Sequence, residues 1–73
     1  MSLQAQLDEQ ALGQLAVVMS ILKSVDSFSA EKIKCRALKE IADSHIPIDE
    51  MNAYQKHRLE ESILSTARYF GWF

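Results

Sequence analysis

Leu15-Ala16-Val17-Val18-Met19-Ser20-Ile21-Leu22 is the stretch on which the fold turns. Ser20 is its one polar residue, so a helix here is apolar on nearly every side. It sits inside a longer pattern. Leu7, Ala11, Leu15, Val18, Leu22 and Val25 recur at spacings of four and three, which places them on one helical face. Leu12, Met19 and Ile21 widen that face. The spacing predicts a helix over about 3–25. A helix that is apolar all round has neighbours on two sides. Leu15, Val18, Met19 and Leu22 are therefore the candidate interface for self-association. The run is far shorter than the roughly 20 apolar residues of a membrane span.

Upstream of this run, Gly13 falls within the same helix, where glycine costs about 1 kcal/mol relative to alanine. Gly13, Ala16 and Ser20 form a stripe along which a second helix can approach; the plainer reading is a glycine that is only tolerated. Downstream, Asp26-Ser27-Phe28-Ser29 reads as a turn, with Ser29 as the N-cap of a second helix over about 30–44. Phe28 and Ile33 are spaced for a hydrophobic staple. Ile33, Ala37, Leu38, Ile41 and Ala42 make the buried face, with Cys35 as a small filler at its margin. Arg36 with Glu40, and Lys39 with Asp43, are spaced for ion pairs on the outer face. Pro47 disfavours helical geometry at Ile46 and stops this helix.

Asp49 is placed to cap a third helix, over about 50–70. Its first half is polar, with Lys56 and Glu60, and His57 and Glu61, spaced to pair on the surface. Its second half aligns Leu59, Ile63, Ala67 and Phe70, with Leu64 beside them. Gly71 suits the left-handed residue that ends a helix, with Trp72 packing back on Ala67. The short loops favour antiparallel neighbours. The expected class is all-α: a three-helix bundle, or an αα-hairpin plus a third helix, completed by dimerisation.

A chain of 73 residues makes one domain at most. At that size only about 60% of the unfolded surface is buried, and stability usually needs a disulfide, a metal or a second subunit. Cys35 is alone, so no internal disulfide forms. Cys35, His45 and His57 lack the close-set pairing of a zinc site. Self-association or a partner remains, and a homodimer is the expectation. A lone cysteine suits a reducing compartment, and residues such as Asp8 and Glu9 do not read as a signal peptide, so a cytoplasmic protein is expected.

No catalytic set stands out. There is no Gly-rich phosphate loop and no serine in a nucleophile elbow. Glu60-Glu61 and Asp49-Glu50 are adjacent on a helix, about 100° apart, so neither pair shares a site. Neither an enzyme nor a cofactor is expected. Net charge is −2, against general polyanion binding. Lys32, Arg36 and Lys39 nevertheless share a face of the second helix, as a nucleic-acid-binding regulator would use them. Glu31, Glu40 and Asp43 dilute that patch, and no Asn or Gln is there to read bases.

The aromatic residues are unevenly placed. Tyr69, Phe70, Trp72 and Phe73 are four of the six in the chain. Such a cluster completes a small core or docks on a partner, because aromatic rings dominate interface energetics. Tyr69, Trp72 and Phe73 are the candidate docking residues. Size and helical make-up are similar to those of many small bacterial and phage regulators that act by binding another protein, a resemblance of class that fixes no residue. The leading expectation is a non-enzymatic helical interaction module that regulates or inhibits a larger protein. A nucleic-acid-binding transcriptional regulator and a structural subunit of a larger assembly are the alternatives.

Overall fold

The computed structural model describes residues 3–73. The described chain is all-helical: α1 (Leu3–Gly13), α2 (Ala16–Ser24), α3 (Ser27–Asp43) and α4 (Ala53–Tyr69), with a single 3₁₀ turn at Ile48–Glu50. It measures 31 × 30 × 19 Å, the short dimension being about two helices deep. Helix α3 packs against each of the other three. Leu12, Leu15, Val18, Ile33, Ala37, Ile63 and Ala67 form the core, and Ile48 and Met51 close it from the α3–α4 connection.

The first helix departs from expectation by breaking in two. The apolar spacing runs on through residues 13–15, but Leu15 takes φ −107° and ψ 80°, outside the helical region. Three-residue turns, Gln14 N–H to Ala11 and Leu15 N–H to Leu12, tighten the end of α1 just before the break. Packing explains the bend. A straight helix over residues 3–24 would run about 33 Å and overhang so small a molecule. Bent at Leu15, the chain sends both Leu12 and Leu15 into one core. The break creates a helix start with no local side-chain cap, and α4 supplies one. A Glu60 carboxylate oxygen accepts from the Val17 amide at 2.8 Å and from the Val18 amide at 3.4 Å. Glu60 therefore caps α2 instead of pairing with Lys56. Gly13, Ala16 and Ser20 face solvent, and a Cβ added at Gly13 would meet nothing, so none of the described helices of this chain approaches along that stripe.

Helix α3 starts three residues earlier than the sequence suggests. Asp26 is its N-cap, accepting from the Ser29 amide at 2.7 Å, and Ser29 lies inside the helix. That amide, and next the Ser29 hydroxyl, hold the Asp26 carboxyl below the ordinary aspartate value of 3.8. Phe28 consequently sits on the helix surface and makes no staple. At the other end His45 takes φ 60°, the left-handed conformation usually left to glycine, and Pro47 follows. Asn52, not Asp49, caps α4. Its side chain accepts from the Gln55 amide at 2.8 Å while Gln55 Oε1 accepts from the Asn52 amide at 2.9 Å, a full capping box. The far end follows the sequence closely. Gly71 has φ 72°, Gly71 N–H donates to Arg68 and Trp72 N–H donates to Ala67, the Schellman arrangement.

Candidate functional site

The outer face of α3 carries the chemistry. Phe28, Glu31, Lys32, Cys35, Arg36 and Lys39 follow one another at steps of three, one, three, one and three, which keeps them on a single stripe about three turns long. The Schellman turn brings Trp72 back beside that stripe, and α3 supplies the rest of the wall. Together they bound an open groove of about 490 Å³. This is within the roughly 300–1,000 Å³ of typical ligand sites.

Its walls are apolar and its rim is basic. Phe28 is 71% exposed, and Cys35 is exposed rather than tucked at the core margin. Trp72 is half-buried, one side on the core and the other lining the groove. Lys32 Nζ lies 4.7 Å from the centre of the Phe28 ring, a cation–π contact. Arg36 Nε is held by Glu40 at 3.0 Å, and the other Glu40 oxygen accepts from the Ser62 hydroxyl of α4. Arg36 is thus largely neutralised, while Lys32 and Lys39 have no carboxylate partner among the described residues. The expected Lys39–Asp43 pair does not form; the surface pair His57–Glu61 does, at 3.0 Å.

The aromatic surface continues past the groove. Phe70 stacks on Trp72 with centroids 5.1 Å apart and planes 18° apart, and Tyr69 meets Phe70 edge-on at 5.1 Å. Phe70 was expected on the buried face of α4, yet it is 59% exposed, and Tyr69 is 84% exposed. Tyr69 and Phe70 line a neighbouring depression with Arg36, Ser65 and Thr66. Phe73 lies apart, with the Arg68 guanidinium 5.5 Å above its ring.

Two candidate sets drawn separately from the sequence therefore converge. Lys32, Arg36 and Lys39 share a groove with Trp72, and Tyr69 adjoins it through Phe70. Cys35 belongs to the same site and was missed; Phe28, at the start of the second helix and so near the end of an antiparallel third, lines it with Trp72. The seven-residue steps Phe28–Cys35 and Lys32–Lys39 are the sequence signal that finds them. The self-association candidates divide differently. Leu15 and Val18 have no accessible surface in a single chain, because they are the core. Met19 and Leu22 remain half-buried and line a separate groove with Glu9, Leu12 and Lys34.

Among the described residues no three His, Cys, Asp or Glu side chains gather as metal ligands. Among the described residues no helix is long and apolar enough to cross a membrane. No family model, curated protein or solved structure matches the chain.

Proposed function

We propose that this chain is a non-enzymatic helical interaction module that regulates a larger protein by binding its surface through the outer face of α3 and the adjoining aromatic tail. One observation carries the reading. Phe28, Tyr69 and Phe70 are each more than half exposed in a molecule whose buried core, among the described residues, holds no aromatic ring. Such rings lose more by facing water than any other surface group, and contiguous exposed apolar area of this kind marks binding sites. A groove beside them gives a partner side chain somewhere to go. Met19 and Leu22 are the members of the expected dimer interface that still face outward, so pairing with a second copy would run through them.

A second reading has its own support. Lys32 and Lys39 stand over the same groove as Phe28 and Trp72, and bases beside aromatic rings suit single-stranded nucleic acid. A photo-crosslinking phenylalanine analogue placed at Phe28, with a control at exposed Ala42, separates the two in an extract of the source cells. The expected result is one protein adduct from position 28 only, competed away by the wild-type chain but not by a Phe28→Ser/Tyr69→Ser variant. Nuclease-sensitive adducts favour the second reading. Equal adducts from both positions overturn the proposal.

A further inference from the structure

The groove on α3 has a chemistry of its own, and it selects the occupant. The chain as a whole carries a net charge of −2, yet Lys32, Arg36 and Lys39 face this groove against Glu31 alone. With Arg36 tied to Glu40, the charges left to a ligand are those of Lys32 and Lys39 against the single carboxylate of Glu31. They are seven residues apart, two helical turns, or about 10.5 Å along the axis. Between them lie Cys35 and the paired Arg36, while Phe28 stands about one turn before Lys32 and Trp72 completes the lining. Along the stripe apolar side chains and unpaired bases alternate: Phe28, Lys32, Cys35, Lys39.

The mode of binding is narrowed by the fold. The described residues contain no strand, so there is no sheet edge on which an extended peptide could add. A straight helical face with an apolar centre is matched by the apolar face of another helix. Resting on the interaction reading above, we infer that the groove takes an acidic amphipathic helix of a partner protein. That helix carries carboxylates seven residues apart, opposite Lys32 and Lys39. Its apolar residues, three or four positions from each carboxylate, sit against Phe28, Cys35 and Trp72. A partner of the same charge sign as the rim would be repelled, and repulsion of this kind sets specificity.

The test starts with a displayed library of peptides about 15 residues long, four helical turns, unbiased in charge and lacking Trp and Cys. It is panned against the intact chain. Trp72 is the only tryptophan and Cys35 the only cysteine in the chain. Bound peptides are therefore scored by Trp72 emission and by protection of Cys35 from iodoacetamide. The expected winners carry paired Asp or Glu at a seven-residue spacing around apolar positions, and they protect Cys35. They lose about tenfold in affinity on Lys32→Glu/Lys39→Glu and nothing on Lys23→Glu, which lies on α2. Winners that protect Cys35 but are neutral or basic overturn the occupant while leaving the interaction reading intact. Acidic winners that leave Cys35 open to alkylation place their binding elsewhere and also overturn the groove assignment alone. If no peptide is enriched and an oligothymidylate protects Cys35, both this inference and the protein-binding reading fall. If neither protects it, the groove binds nothing of either class and the inference falls.

Discussion

At the start of α3, Asp26 uses a charge where a neutral cap would also serve. Its carboxylate is stabilised by the Ser29 amide, so its folded pKa lies below the ordinary 3.8. A lowered carboxylate pKa contributes stability that is present above the unfolded value and lost as pH falls through the folded one. Asparagine caps equally well through its amide oxygen but does not titrate. Thermal unfolding of the chain and of Asp26→Asn, followed from about pH 7 to about pH 2, should give a constant difference near neutrality. That difference should change in favour of the variant once pH drops below the ordinary aspartate range. A difference that stays the same down to acid would mean the carboxylate is not linked to folding. The effect is local: the groove residue Phe28 is two positions from this cap, so the cap also sets where the groove begins.

At the scale of the element, the break between α1 and α2 depends on one distant side chain. Two amides at the start of α2 have the Glu60 carboxylate as their acceptor. Glu60→Ala should cost about 1–2 kcal/mol, the range for a lost helix cap with a charged partner. It should also speed hydrogen exchange specifically at Val17 and Val18; unchanged exchange there would remove Glu60 from its capping role. This element also shows where sequence reading stops. The apolar rows, the stop near Pro47 and the Gly71–Trp72 ending are local signals, each carried by residues within a few positions of one another, and they were legible. The break was not, because it answers to tertiary packing, and the cap it needs comes from a side chain 43 residues away. Helix starts were misplaced for a related reason: Asp26 and Ser29, and Asp49 and Asn52, are competing caps, and packing chooses between them. Phe28, Phe70 and Cys35 were assigned to buried or marginal positions because apolar character alone does not say which side of a helix faces inward. The basic stripe was legible residue by residue, but its union with Trp72 needed the fold.

For the molecule as a whole, the margin is narrow. At roughly 0.05–0.15 kcal/mol per residue, a chain of this length has only about 4–11 kcal/mol of stability. Leu15 is fully buried, so Leu15→Asp places an unpaired charge among Val18, Ile33 and Ile63. It should abolish cooperative thermal unfolding by circular dichroism. Leu22→Asp, on a half-buried edge, should keep the helical signal, and light scattering would then report any dimer that depends on it. A folded Leu15→Asp chain would show that the core is not where the packing places it.

The bend after Gln14 also orders events in time. Val17 is made 43 residues ahead of Glu60, the side chain that caps its helix. At about 5–20 residues per second, translation separates the two by about 2–9 s. During that interval the amides of residues 17 and 18 have no Glu60 to meet, so the start of α2 lacks its cap. The corner between α1 and α2 is thus a feature that the growing chain can complete only after its fourth helix has been made.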